Sequence, residues 1–559
     1  MNAVIAILGS GFAGSILARL LALQGHQVVL LERARHPRFA IGESSTPLAA
    51  LALERLAARY GLDDLDSLAA YGRWMRDLPH LRRGLKRGFT FYAHEPGIRY
   101  ANTARDERRL LVAASPNDEI ADTHWLRADV DQHLARAAAA AGADLHEETE
   151  VVDLARRPGG GFRLELRAGA PTHREPTAGE RRGPVEDAQA RENVAACSKR
   201  DPREAGSSQG GSAPPRVVDV DHVIDGTGRR GVIGRRFAAA RRVPIRLETT
   251  LLAAHLEGVV PFDQIAPSDG AVLEPGPYPD HRAAVHHLLR EGWVYVLPFD
   301  HGTSSVGIVA HGTPPPGARE DPEAAFRAIV SRYPTLAESL AGARAAIPYQ
   351  CSHPLPHRCR TAAGAGWALL PHTYAFYDPL FSAGIAWSLL AVERLADWGE
   401  ALRDDGPGEA QRILARYARL LAREADHLEA LVVAAWRAMP DFDRFVAQSF
   451  LYFATASFSE ARQRLCPEQA PAGGWAWSGF LGATDRRIAA WPRALDGSSA
   501  ADILASIAPR NVAGLGDPAY GRRVPVAIEP LLAGARKLGL SRKEARARAS
   551  RLRGWTATS

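Results

Sequence analysis

An α/β fold is predicted by three observations. The chain opens on a short apolar strand, Val4–Leu8, that runs into Gly9-x-Gly11-x-x-Gly14. A helix with apolar residues Ile16, Leu17, Leu20 and Leu21 follows, and then a second strand, Val28-Val-Leu-Leu, that ends on Glu32. From about residue 408 the apolar period becomes 3.6, with Leu414, Tyr417, Leu420 and Leu421 on one face. Between these ends, alternating patterns at about 246–259 and 284–310 predict a sheet. The expected architecture is a Rossmann-type dinucleotide-binding domain, an interleaved β-sheet domain and a helical C-terminal lobe. The expected bounds are 1–168 with 217–400 for the first two, and 401–559 for the lobe.

The opening unit carries the most chemistry. Gly9 permits a tight turn, Gly11 lets the backbone approach a pyrophosphate, and Gly14 allows close helix–strand packing. Phe12 and Ala13 begin the helix, whose N-terminus faces the phosphates. Glu32 stands where an acidic residue reaches ribose hydroxyls. Such a turn in an ordinary βαβ unit would need no ligand, but strand, helix, second strand and terminal acid all occur here in order.

Further elements follow along the chain. Residues 48–60 and 63–76 read as helices, and Lys86–Tyr92 and Gly97–Tyr100 as strand or ribbon. Asp122–Asp131 opens an alanine-rich helix that runs to about 141. Asp144–Leu154 and Phe162–Leu166 read as strands. Residues 169–216 are rich in Gly, Pro, Ser, Arg and Glu, with little apolar area to bury, and read as a disordered surface insertion. A partner-docking arm is the alternative. Val217–Asp225 is a strand that ends in Asp225-Gly-Thr-Gly228. Residues 363–399 form a turn-plus-helix unit through Asp378-Pro-Leu-Phe-Ser382-Ala-Gly384-Ile385.

Bulk properties narrow the class. The chain has 559 residues and a formal net charge of +6, with 46% hydrophobic and 24% charged residues, as in a soluble globular protein. No apolar run reaches the length of a membrane span, and Val4–Leu8 reads as a core strand and not a signal peptide. Four cysteines fit a reducing cytoplasm better than a disulfide scaffold. The charge does not suggest nucleic acid. Cys351-Ser-His353-Pro-Leu-Pro-His357-Arg-Cys359 crowds four ligand-type residues into one segment, and reads as a connecting strand in preference to a zinc site. His124-Trp125 could line a pocket or flank a helix start. Trp475, Trp477 and Phe480 could cover a substrate mouth or pack in the core. The basic tail Arg536–Arg553 reads as a solvated helix face or as a dock for an acidic carrier.

Taken together, the turns resemble those of the flavin monooxygenase superfamily, and within it the flavin-dependent halogenases of the tryptophan-halogenase type. The marks are Gly9–Gly14 with Glu32, Asp225–Gly228, Gly42-Glu43-Ser44-Ser-Thr-Pro47 and Asp378–Gly384, over roughly residues 1–400. The resemblance implies FAD bound in extended form, with Glu43, Ser44, Arg127, Asp225, Asp378, Gly384 and Ile385 among its contacts. It also implies a lysine between flavin and substrate. Halogenases oxidise halide to hypohalous acid at reduced flavin with oxygen, and that acid must be delivered to the substrate away from the flavin. Lys86, in Lys86-Arg-Gly-Phe-Thr-Phe91, is the candidate, and a solvated strand lysine is the alternative. Lys86 is expected to project, unpaired, into a closed cavity with Trp293 on its wall, near Ser382.

Three departures shape the function. Trp293-x-Tyr295-x-Leu297-Pro298 has Tyr where halogenases carry a second Trp. Phe381 stands where tryptophan halogenases have Glu. Pro371-His372-Thr373 stands where the superfamily has Gly-Asp-Ala, so His372 serves in that Asp's place or the contact is lost. The leading expectation is halogenation of an electron-rich aromatic substrate, free or bound to a carrier or peptide. Hydroxylation of an aromatic group, including peptidyl tryptophan, and a geranylgeranyl-reductase-type flavin reduction are the alternatives. Reduced flavin would come from a separate flavin reductase or from NAD(P)H bound transiently.

Overall fold

The computed structural model describes residues 3–168, 216–237, 241–526 and 528–552. A six-stranded sheet forms the cofactor module, in the order Ala363–Gly364, Trp367–Leu369, His222–Asp225, Val4–Leu8, Gln27–Leu31, Asp144–His146. Its central strands are parallel, with Leu8 beside both Leu31 and Asp225. The ends of these strands therefore deliver the glycine turn, Glu32 and Asp225 to one edge. The helix Phe12–Leu23 packs back on this sheet, with Ile16, Leu17, Leu20 and Leu21 fully buried.

An eight-stranded sheet makes the second layer, in the order Arg344–Ser352, Thr249–Glu257, Thr303–His311, Gly292–Pro298, Ala284–Leu288, Gly88–Ala93, Arg109–Ala113, Arg523–Val524. Side chains alternate between its faces. Leu251, Phe89, Phe91, Trp293 and Tyr295 join the core shared with the cofactor module. Leu252, Tyr92, Val294 and Ile308 join a separate core under the helices Pro322–Val330 and Pro334–Leu340. The sheet is thus the wall between a cofactor side and an outer side.

Long helices dominate after the turn at 378–383: Gly384–Asp404, Pro407–Ala438 and Phe442–Leu465. One apolar core runs from Ala3 to Ala549, so these helices are packed into the cofactor module. Glu424 and Arg394 form the joint. Both side chains are fully buried and paired at 2.6 Å. Glu424 also accepts from the Trp387 indole at 2.8 Å and the Phe480 amide at 2.7 Å. Trp475, Trp477 and Phe480 are buried beside this joint, and the Trp477 indole donates to Asp397 at 2.7 Å. Among the described residues no helix is long and apolar enough to cross a membrane.

Several local expectations differ from the structure. Lys86–Tyr92 is divided between Arg83–Lys86 and Gly88–Ala93, and Asp144–Leu154 between Asp144–His146 and Thr149–Arg156, each time in two different sheets. Asp122–Trp125 is a strand, and the helix begins at Arg127. Thr and Trp suit a pleated strand, and the extended backbone at Leu126 delays the helix. Gly97–Tyr100 is not a strand; Gly97 has φ +77, a turn geometry that breaks a ladder. The Val217–Asp225 run splits at Asp221 into Arg216–Val220 and His222–Asp225, in two different sheets. Asp221 makes that switch by exchanging hydrogen bonds with Val4. The expectation for 169–216 lies outside the described residues, except Arg216. In the segment weighed for zinc, Cys351 lies in Arg344–Ser352 and His357 in the short strand His357–Arg358. The basic tail contains the helix Arg542–Ala549, capped by Ser541.

The joint predicts a stability effect. Arg394→Leu strands the Glu424 carboxylate in the core, which costs about 3–5 kcal/mol. Urea unfolding monitored by tryptophan fluorescence should show that loss, and a change below about 1 kcal/mol would contradict the role assigned to the pair.

Candidate active site

A cavity of about 800 Å³ lies between the parallel sheet and the inner face of the larger sheet. At one end is the glycine turn. Gly9 has φ +93, and a Cβ there would lie 2.7 Å from the Gly226 carbonyl oxygen. A Cβ on Gly14 would lie 2.1 Å from the Gly9 carbonyl oxygen, which is the close packing expected of it. Gly11 differs, because its Cβ would meet only side-chain ends: the guanidinium of Arg127 at 3.5 Å, that of Arg38 at 3.7 Å, and the carboxylate of Asp131, which both arginines hold, at 3.9 Å. Gly11 therefore fronts space free of backbone, bordered by two guanidiniums and the one carboxylate they share, which leaves room and a net positive border for a pyrophosphate. Phe12 and Ala13 are buried and contribute backbone at the helix start. The Phe12 amide donates to Asp131 at 3.1 Å.

Arg127 is the first helical residue, and from there it reaches back across the chain. It holds Asp131 with two hydrogen bonds of 2.9 Å and donates to the carbonyls of Ile41 and Gly42. Its guanidinium also lies over the Phe12 ring at 4.7 Å. Glu32 lines the cavity and accepts from the Ser10 and Ala34 amides at 3.1 and 3.0 Å. Burial works to raise its pKa, but Arg38 and those amides hold it below the usual carboxylate range. It is a fixed anion just past the end of the second strand, on the cavity wall.

The second turn works through its backbone. The carboxylate of Asp225 accepts from the Thr227 amide and hydroxyl and from the Ile233 amide, at 3.0, 2.6 and 2.8 Å. It braces its own loop, and Gly226, Thr227 and Gly228 face the cavity in its place. Asp378 braces the third turn in the same way, accepting from the Leu380 amide at 2.8 Å and the Trp436 indole at 3.0 Å. Burial pushes its carboxyl up to about 7. Ser382 has φ +53, a left-handed conformation uncommon for a serine, and lies on the cavity wall. Gly384 and Ile385 start the following helix, so its positive end meets the cavity.

His372 borders the same space. A Cβ on Gly384 would fall 2.4 Å from His372 Nε2, so only glycine lets the ring lie there. Nε2 is buried without a hydrogen-bond partner among the described residues. Burial, aided by Arg127, lowers its pKa to about 4, so the ring is neutral. Glu43 and Ser44 line the far side. Glu43 Oε1 pairs with His255 at 2.6 Å, while its Oε2 and the Ser44 hydroxyl are buried without partners among the described residues. An open cradle at Gly11, two helix N-termini and three orphaned polar atoms fit a long polar cofactor of the FAD kind.

The sheet supplies the remaining wall. Alternation sends Trp293, Tyr295 and Leu297 to the cavity. Tyr295 lies across from Gly307, whose Cβ would meet the tyrosine hydroxyl at 2.5 Å. His286, not anticipated from sequence, shares this face. It pairs with Tyr295 in register and stacks on Phe91 at 4.7 Å. The alternation in Ala284–Leu288 was the available signal, but the parallel pairing that sets Phe91 beside it has no local mark.

Lys86 is fully buried and is not a solvated strand residue. The Ser44–Thr46 segment explains its place. Ser44 borders the cofactor cavity, and Thr46 borders a second, mainly apolar cavity of about 120 Å³. Between them the Ser45 carbonyl accepts from Lys86 Nζ at 2.5 Å. The ammonium also sits over the Phe89 ring at 4.1 Å, and Phe89 lines the second cavity with Tyr452 and Phe453. Lys86 thus stands in the partition between two cavities. Two expectations need correction. Trp293, Ser382 and Gly384 line the cofactor cavity without Lys86 among them. The ammonium is also not without partners, because it donates to the Ser45 carbonyl and has Asp122 opposite it in the strand ladder as the nearest opposing charge that acts on it. Burial pushes the ammonium below the usual lysine range, and Asp122 opposes that shift.

Comparison with known proteins agrees with this geometry. Residues 5–182 match the FAD dependent oxidoreductase family model. The chain is 27% identical over 447 residues to monodechloroaminopyrrolnitrin halogenase PrnC of Pseudomonas fluorescens, covering 78% of this chain and 68% of that protein. It is 26% identical over 413 residues to tetracycline 7-halogenase of Kitasatospora aureofaciens, covering 72% and 64%. The chain thus spans about two thirds of the length of these relatives. Halogenase PltM superposes with a TM-score of 0.74 at 19% identity, over 94% of this chain and 99% of that one, which establishes the fold. The halogenase CmlS superposes with a TM-score of 0.56 at 18% identity, over 90% and 76%. The chain carries an FAD-dependent oxidoreductase domain and resembles flavin-dependent halogenases.

The cradle makes a sharp prediction. Gly11→Asp sets a carboxylate against the pyrophosphate, and like charges about 4 Å apart cost about 4 kcal/mol, so FAD affinity should fall about 1000-fold. Absorbance of the purified variant tests this; retained, tightly bound yellow flavin would contradict it.

Proposed function

We propose that the chain is a flavin-dependent halogenase that places halogen on an electron-rich aromatic ring. Reduced FAD, when bound, supplies with oxygen the oxidising capacity that turns halide into hypohalous acid. The observation that carries the reading is the buried ammonium of Lys86 in the partition between the cofactor cavity and the apolar cavity. Hypohalous acid is small enough to be held by an ammonium, and an aromatic substrate is not small enough to share the partition. In this reading Lys86 donates a hydrogen bond to the oxygen of hypohalous acid and directs the halogen toward the second cavity. Phe89, Tyr452 and Phe453 offer faces against which an aromatic ring can lie. Trp293, Tyr295 and His286 close the sheet side of the cofactor cavity. Ser382, in its left-handed turn, and the amides of Gly384 and Ile385 offer donors for an anion such as halide.

The substrate is an aromatic small molecule, or the same group held on a carrier or peptide. A separate flavin reductase supplies reduced flavin in this reading. A cytoplasmic setting fits the free cysteines Cys351, Cys359 and Cys466. Hydroxylation is the second reading, favoured by Tyr295 in place of a second tryptophan. Oxygen transfer requires the substrate ring to reach the flavin itself, and the Lys86 partition opposes that contact.

The test is direct. Purified protein with reduced FAD, oxygen and bromide should convert members of a panel of phenols, pyrroles and indoles to products with the bromine isotope doublet. Lys86→Ala should retain FAD and lose product by at least about 100-fold, the scale of a proton-delivering group. Equal product from the variant would remove Lys86 from the mechanism, and no product from wild type across the panel would defeat the reading.

A further inference from the structure

Lys86 is one member of a buried polar face. The strands Arg83–Lys86 and Asp122–Trp125 pair antiparallel, with Lys86 opposite Asp122 and Gly84 opposite His124. Opposed residues share a face, and so do residues two apart, so Lys86, Asp122 and His124 project together. Their exposures are 0%, 4% and 0%. Asp122 Oδ2 and both ring nitrogens of His124 have no hydrogen-bond partner among the described residues. Asp122 also borders a third cavity of about 940 Å³, which shares no lining residue with the cofactor cavity.

The titratable groups around this face come from two other elements. Glu460 and Arg464, paired at 2.8 Å on the helix Phe442–Leu465, face Asp122. His286 faces Lys86 and His124 from the larger sheet. The Ser45 carbonyl and the Phe89 ring complete the surroundings of the ammonium. Burying opposite charges near one another costs several kcal/mol per ion unless the remaining polar atoms are satisfied. A purely structural pair would have them satisfied, whereas here a carboxylate oxygen and a whole imidazole are left over. Such an arrangement marks a group that works on something other than the fold.

We propose that Asp122 is the positioning residue for Lys86: its carboxylate, opposite the lysine in the ladder, keeps the ammonium charged at the partition so that it holds the proton that halogen transfer uses. The proposal rests on the halogenase reading. In the transfer, hypohalous acid and the aromatic ring give halogenated ring and water. The ring's π electrons form the carbon–halogen bond as the oxygen–halogen bond breaks. Lys86 gives its proton to the departing hydroxide, which leaves as water. The ring loses its own proton, the C–H electron pair restores aromaticity, and that proton returns to the Lys86–Asp122 pair. The pair ends with the proton it began with. Without the carboxylate, burial acts on Lys86 unopposed, the amine becomes neutral at lower pH, and the proton for hydroxide is missing.

Full-length wild type, Asp122→Asn and Asp122→Glu, each loaded with FAD, separate the possibilities. Cyanate reacts with the free amine, so carbamylation of Lys86, read by peptide mass spectrometry from about pH 6 to about pH 10, titrates it in place. In Asp122→Asn the titration should move to lower pH by about one unit or more, and bromination per oxygen consumed should fall about 10- to 100-fold, with Asp122→Glu restoring part of both. An unchanged titration in Asp122→Asn, at full FAD content, overturns the proposal even if product is lost, since that pattern is a packing defect. If Asp122→Asn holds no FAD, Asp122→Glu decides: a titration displaced from wild type in step with its bromination supports the pairing, and product lost at an unmoved titration overturns it. A shifted titration with no brominated product from wild type upholds the pairing and places the failure in the halogenase reading.

Discussion

An ammonium with no exposed surface must find every partner inside the protein, and that constraint organises the centre of this molecule. Lys86 meets it with the Ser45 carbonyl on one side, the face of Phe89 on another and Asp122 across the ladder. Each partner comes from a different segment. The Gly42–Thr46 stretch must therefore run beside the strand Asp122–Trp125, and it does, through the bridge between Ser44 and His124 and the Ser45 amide bonded to the Thr123 carbonyl. The same stretch has the cofactor cavity on one side and the apolar cavity on the other. Satisfying one cation thus also builds the wall between the two spaces.

The larger sheet and the helices hold that wall in place. Alternation along Gly292–Pro298 gives Trp293 and Tyr295 to the cofactor and Val294 to the outer core. The helix Gly384–Asp404 carries two duties at once. Its first residues meet the cofactor cavity, and Trp387 and Arg394, farther along, anchor Glu424 of the next long helix. Tyr452 of the third long helix stacks on Phe381 at 4.2 Å and lines the apolar cavity. The flavin turn and the apolar cavity are thereby linked through two aromatic rings.

Much of this was legible in the sequence where one residue type has a local reason. Gly9, Gly11 and Gly14 announce a turn that only glycine permits, and the three turns and their helices stand where motif and period put them. What could not be read were consequences of strand pairing. Asp225 and Asp378 look like ligand contacts in the sequence; the Asp225 carboxylate braces its own loop, while Asp378 lines the cofactor cavity with its carboxylate tied to the Leu380 amide and the Trp436 indole. Asp122 and His286 carry no motif and gain meaning only when the ladders set them near Lys86. Arg82, Arg83 and Arg87 flank Lys86 in the sequence, which is the local reason for the alternative of a solvated strand lysine. The structure separates them, because Arg82 pairs with Asp129 and Arg87 with Asp118 while Lys86 turns inward.

The central claim is that the partition passes a small oxidised halogen species and keeps the substrate ring from the flavin. Turnover under oxygen-18 with bromide, followed by mass spectrometry of product and water, tests it most directly. The account predicts bromine in the organic product and the heavy oxygen in water and not in the product. An organic product carrying oxygen-18, formed at the same rate with or without bromide, would contradict it and show that the ring reaches the flavin.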